Sequence, residues 1–172
     1  MSAMIEPARD NPGVLVFPPL IPLTNLLLGI ALDWLAPLGV LARLRPVPRI
    51  AVGGAACLAG LAMMIAARRA FRRGGTNAVP SKPALALLTT GIFAWTRNPM
   101  YVGGGFLLIG IALVFALDWV PLLYVPSLLL LHFGIIRREE RYLERKFGGD
   151  YRAYKARVGR YVWLARAGAP RR

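Results

Sequence analysis

Four long apolar runs dominate the chain, Val14–Leu35, Ile50–Ala67, Met100–Leu117 and Trp119–Ile136, separated by short polar or basic stretches. As helices rising about 1.5 Å per residue, each is long enough, or nearly so, to cross roughly 30 Å of hydrocarbon. A fifth apolar stretch, Ala84–Trp95, is too short to span and reads as an interfacial or re-entrant helix. Only Asp118 separates the third run from the fourth, which predicts a tight helical hairpin. Pro18, Pro19 and Pro22 predict an irregular entry to the first helix. Pro121 falls in the first turn of the fourth, where its missing N–H is tolerated, and Pro126 lies deeper, where a kink is expected. After Ile136 the pattern turns charged and amphipathic. A helix to about Lys146, a break at Gly148 and Gly149, and a shorter helix carrying Tyr151, Tyr154 and Val158 on one face are expected. The pattern predicts an all-α, multi-pass membrane helical protein. It has four spans, a short interfacial or re-entrant helix and a cytoplasmic C-terminal helical tail, in one domain over residues 1–172.

Composition agrees with this pattern. The 172 residues are 56% hydrophobic, with a mean hydropathy of +0.51, which is unusual for a soluble domain. The net charge of +14 could point to nucleic acid, but its distribution points to a membrane surface instead. Basic residues number one before the first run, three between the first two, six over residues 68–100 and twelve after Ile136. With four spans, nineteen lie on one face and three (Arg43, Arg45 and Arg49) on the other. The positive-inside rule makes the richer face, with both termini, cytoplasmic, and that face suits anionic headgroups. Cys57 stands alone inside the second run, so neither an internal disulfide nor a cysteine metal cluster is expected. Glu6, Arg9 and Asp10 make a poor signal-peptide start, so the first run is expected to be retained.

Chemistry concentrates in two patches, each at a helix end. In the first, Thr96 to Gly105, Asn98 is a favoured N-cap type, Pro99 suits the first helical position, and Arg97 and Tyr101 suit the headgroup level. All four have a structural reading. The functional one starts from the unpaired N–H groups at the helix start, which attract an acceptor group. Gly103, Gly104 and Gly105 cost about 0.8–1 kcal/mol each relative to alanine. Close backbone approach to a ligand, or to the small residues of the second span, would offset that cost. The second patch is His132 with Glu139 and Glu140. At spacing i, i+8, His132 and Glu140 share a helix face, and His132 is an ionisable group at membrane depth. Packing of a neutral histidine, and ion pairing of the glutamates with Arg137, Arg138, Arg141 and Arg145, are the structural alternatives. Two adjacent carboxylates face different ways, so one is expected to turn inward. There is no dinucleotide-type glycine motif, P-loop or nucleophile elbow.

Two stretches, GTNAVPSKPALALLTTGIFAWTRNPMYVGG and RREERYLERKFGGDYRAYKARVGRYV, resemble the core of the isoprenylcysteine carboxyl methyltransferase and phospholipid methyltransferase superfamily. The resemblance is strong over about Gly75–Tyr161 and looser before it. It implies an integral-membrane methyltransferase that uses S-adenosyl-L-methionine without a Rossmann domain, in a bacterial inner membrane with both termini cytoplasmic. The cofactor-lining residues it implies are Leu87, Leu88, Phe93, Arg97, Asn98, Pro99, Met100, Tyr101, Gly103, Gly105, Glu139 and Glu140. Chemistry would fall to Glu140, Asn98 and Arg137, the last as a cation facing the substrate. Asn98 stands where the isoprenylcysteine enzymes typically carry histidine, and asparagine cannot titrate, so an acid–base role at that position is lost. A carboxylate acceptor needs no base. An amine or thiol must lose a proton, for which Glu140 or His132 could serve. The implied partners are the lipid bilayer and a lipophilic or small-molecule methyl acceptor, with no nucleic acid and no metal.

Two other classes stay open. The sterol reductases look similar in the C-terminal region, and that reading would need a nicotinamide cofactor such as NADPH. A non-enzymatic transporter or assembly protein would more usually show repeats and deeper ionisable groups.

Overall fold

The computed structural model describes residues 10–14, 17–79 and 82–161. Within them every long element is helical: α1 Leu20–Leu35, α2 Pro46–Arg73, α3 Pro99–Phe115, α4 Trp119–Leu131 and α5 Arg137–Arg157. Single 3₁₀ turns lie at Leu41–Arg43 and Gly91–Ala94. α2 packs along α3, and α1 packs along α4.

Large apolar side chains face outward in number, Trp34 at 83% and Leu58 at 72% exposure among them. An exterior of this kind is a membrane or partner surface. α2 and the helical rod that begins at Trp119, broken at Gly148, are long and apolar enough to cross a membrane. The apolar character of that rod ends at Ile136, and charge begins at Arg137. α1 and α3 are equally apolar but have 16 and 17 residues.

Several boundaries differ from the sequence expectation. α1 begins at Leu20 instead of Val14, because Pro18 and Pro19 form a turn ahead of it. The short helix expected over Ala84–Trp95 does not form, and its only helical feature is the Gly91–Ala94 turn. There the backbone bonds locally, with Leu85 and Ala86 N–H donating to Thr76 Oγ1 (2.8 and 3.2 Å). α4 continues through Pro126 and gives way six residues later to a π turn, His132–Ile136. The wider turn shifts the helix face by about one residue. The break at Gly148 is present, with φ 52° and ψ −120° inside α5.

Glycine sets the α2–α3 distance. Gly53 and Gly60 on α2 meet Gly110 and Gly103 on the antiparallel α3. A Cβ at Gly53 would lie 2.8 Å from the Gly110 carbonyl oxygen, and one at Gly60 2.5 Å from that of Gly103. The small residues therefore admit backbone contact, as expected for helix pairs in lipid.

The end of the bundle remote from the charged patches is tied by side-chain caps. Asp33 accepts from the N–H groups of Asp118 (3.0 Å) and Trp119 (3.2 Å) at the start of α4. Asp118 accepts from Val40 (2.9 Å) and Leu41 (2.8 Å). Arg49 donates to the carbonyls of Leu113 and Val114 at the end of α3. These bonds satisfy helix-end groups that would otherwise lie unpaired in an apolar setting, and they give Asp33, Asp118 and Arg49 structural work.

Candidate active site

At the opposite end, the Thr96–Asn98 turn, the first turn of α3, the first turns of α5 and the segment after α5 converge. Asn98 occupies the N-cap position of α3, but its side chain does not cap it. Its Nδ2 instead donates to the carbonyl of Arg160 at 3.0 Å, which Thr96 Oγ1 also reaches at 2.9 Å. The Arg97 N–H donates to the Gly159 carbonyl at 3.0 Å. Sequence reasoning placed the asparagine correctly and mistook its partner.

Both glutamates turn inward, where the sequence led to the expectation of one. Tyr101 Oη donates to Glu139 Oε1 at 2.8 Å. Glu140, 6% exposed, pairs with Arg97 NH1 at 2.9 Å and takes a two-pronged contact from Arg160, Nε to Oε1 at 2.9 Å and NH2 to Oε2 at 2.7 Å. Among the described residues neither carboxylate pairs with Arg137, Arg138, Arg141 or Arg145, so the local ion pairing does not occur. Glu139 is half-buried as a residue, but its carboxyl end is withdrawn from water. That desolvation pushes its pKa up to about 7, with the Glu140 charge adding to it and the Tyr101 bond opposing it.

Two cavities meet at this cluster. One, of about 130 Å³, lies on the charged side beneath the 76–93 loop and reaches Leu87, Leu88, Tyr151 and Tyr154. The other, of about 400 Å³, extends among α1, α2, α3 and α4 past Met100, Gly104, Gly105, Tyr124 and Leu128. Phe93, Arg97, Asn98 and Glu139 line both. The larger falls within the range usual for ligand pockets.

Eleven of the expected cofactor-lining residues border one cavity or the other: Leu87, Leu88, Phe93, Arg97, Asn98, Pro99, Met100, Tyr101, Gly105, Glu139 and Glu140. Gly103 borders neither and packs against Gly60. Arg137 is exposed, lines neither cavity, and lies with its guanidinium over Phe133 at 5.6 Å. His132 also lines neither, and its Nδ1 is bonded to Tyr161 Oη.

The stripe Tyr151, Tyr154 and Val158 forms one buried cluster with Phe93, and Tyr154 Oη donates to the Phe93 carbonyl at 2.7 Å. Three contributors escaped the sequence reading. Arg160 lies beyond the end of α5 with no periodic signal. Asp10 reaches Tyr142 Oη (2.8 Å) and Lys146 Nζ (2.6 Å) across 132 and 136 residues. Tyr124 meets Gly105 from α4, and only the folded hairpin brings them together.

The donor set fits a zwitterionic ligand that also carries a cation and a flat apolar ring. Arg97 Nε is buried with no hydrogen-bond partner among the described residues, and an unpaired buried guanidinium N–H suits a carboxylate. Glu139 and Glu140 supply negative charge beside it. Phe93, Leu87 and Leu88, with the two tyrosines, supply an apolar and aromatic wall. Comparison with known proteins adds one finding: a family model described as phospholipid methyltransferase matches residues 48–150. No curated protein matches the chain significantly.

Proposed function

This chain belongs to the phospholipid methyltransferase family, and on that premise we propose that it moves a methyl group to a lipophilic acceptor at the cytoplasmic face of a membrane. Methyltransferases of this family use S-adenosyl-L-methionine, which when bound supplies an electrophilic methyl on a sulfonium. The observation that carries the reading is the shared wall of Phe93, Arg97, Asn98 and Glu139 between a small cavity on the charged side and a larger one among the apolar helices. Two reactants entering from opposite sides, one from water and one from between the helices, would meet there.

Each residue then has a task. Arg97 holds a carboxylate through its unpartnered Nε, and Glu140 holds a cationic group from a position fixed by Arg97 and Arg160. Phe93, Leu87 and Leu88 pack a ring, with the tyrosine stripe behind them. Alignment of the two partners and exclusion of water supply much of the rate in such a reaction. For an amine or thiol acceptor, Glu139 is better suited than Glu140 to take the proton. It borders both cavities, and a carboxyl titrating near neutrality is poised for proton transfer. His132, engaged with Tyr161 away from the cavities, is not needed. We read all four apolar helices as spans, α1 and α3 supplemented by their flanking segments, with the basic site end cytoplasmic.

The test is transfer of label from methyl-labelled S-adenosyl-L-methionine, using protein reconstituted into vesicles of a total bacterial lipid extract. Wild type is expected to move label into an organic-phase product, and Glu139→Gln to lower the rate at least about tenfold for an amine or thiol acceptor. Label recovered only in water-soluble products would overturn the lipophilic-acceptor reading.

A further inference from the structure

The segment that follows α5 does more than end the fold. Gly148, with its positive φ, redirects the chain so that Tyr151, Tyr154 and Val158 pack on Phe93. Residues Gly159 and Arg160 then lie along the Thr96–Asn98 turn. All three residues of that turn bond to them: Thr96 and Asn98 through side chains to the Arg160 carbonyl, and Arg97 through its N–H to the Gly159 carbonyl. The Arg160 side chain meanwhile reaches Glu140 on α5, twenty residues earlier. One residue thus joins the two sequence patches, its carbonyl on the first and its guanidinium on the second.

We propose that Arg160 is a positioning residue that fixes the Glu140 carboxylate for the cofactor, an inference that rests on the methyltransferase reading above. A planar guanidinium fork matched to both carboxylate oxygens sets the plane of the acid, which a lysine cannot do. An ionised carboxylate has about four acceptor sites. Arg160 takes two and Arg97 a third, leaving one for a cation in the cavity that Glu140 lines. Without Arg160, Glu140 keeps one point contact to Arg97 and is free to rotate about it.

The experiment is calorimetric binding of S-adenosylhomocysteine and S-adenosyl-L-methionine to the full chain in detergent. Wild type is compared with Arg160→Ala, Arg160→Gln and Arg160→Lys, each checked for wild-type elution and melting. Alanine and glutamine are expected to weaken binding at least about tenfold, the scale of a charge-assisted hydrogen bond. Lysine is expected to recover only a small part of the loss. Added methylguanidinium is expected to restore binding to Arg160→Ala, a rescue that a purely structural role would not give. Should alanine fail to fold, the glutamine and lysine variants decide the matter. Binding within twofold of wild type in the folded variants would overturn the proposal, as would tighter binding, because Arg160 would then be a competitor for Glu140. If wild type itself binds neither ligand, the cofactor reading falls and this one with it.

Discussion

At the first turn of α5, Glu139 and Glu140 lie within reach of four arginines of their own helix, yet both bond to groups brought from elsewhere in the chain. The inward turn of a carboxylate was legible from two adjacent acids on a helix. The partners were not, because Tyr101, Arg97 and Arg160 are set by tertiary packing across 20 to 43 positions. Asn98 shows the same division: its place at a helix start follows from Asn-Pro, while its bond to Arg160 requires the fold. The raised pKa of Glu139 gives a signed expectation. A carboxyl that resists ionisation in the folded state costs stability as pH rises from the ordinary carboxylate range toward about 7. Wild type should therefore lose thermal stability over that window, and Glu139→Gln should flatten the dependence, gaining about 1–2 kcal/mol at pH 8. Cofactor affinity should rise with pH through the same window in wild type, because a cation favours ionised Glu139, and should not in the variant. Melting curves and calorimetry between pH 5 and 8 check both, and a variant as pH-sensitive as wild type would contradict them.

Helix existence and type were readable wherever an apolar run was long, and the failures trace to particular residues. The irregular entry expected from Pro18 and Pro19 is present, and it sets the start of α1 at Leu20. The 84–95 stretch, opening after Pro83 and interrupted by Gly91, bonds at its start to Thr76 and Tyr142 and to itself only around the Gly91–Ala94 turn. The π turn at His132–Ile136 has no composition signature. The glycines of α2 and α3 allow a clean test at this scale. Gly60→Val would drive a side chain into the Gly103 carbonyl, and overpacking of this kind costs about 1–3 kcal/mol. Gly54→Ala meets open space and should be neutral or raise stability by up to about 1 kcal/mol. Thermal melts of the two variants should therefore diverge, and equal behaviour would contradict backbone contact between α2 and α3.

Taken whole, the molecule divides into a capped end and a reactive end. Asp33, Asp118 and Arg49 tie helix termini at the first, and the motif residues and both cavities gather at the second. That asymmetry accompanies the charge asymmetry seen in the sequence, with most basic residues toward the site. On the proposed function, it suits a cofactor arriving from the aqueous side and an acceptor arriving from between the helices. Membership in a methyltransferase family favours an enzyme over a transporter or assembly protein.

The most direct measurement is saturable binding of S-adenosylhomocysteine to the detergent-purified chain, beside an Asn98→Ala/Glu140→Ala double variant that still folds. One site in wild type and at least about a hundredfold loss in the double variant is the expected result, from two polar contacts removed together. Wild-type protein that is folded and binds nothing, or a double variant that binds as well as wild type, would contradict a cofactor site at the wall between the cavities.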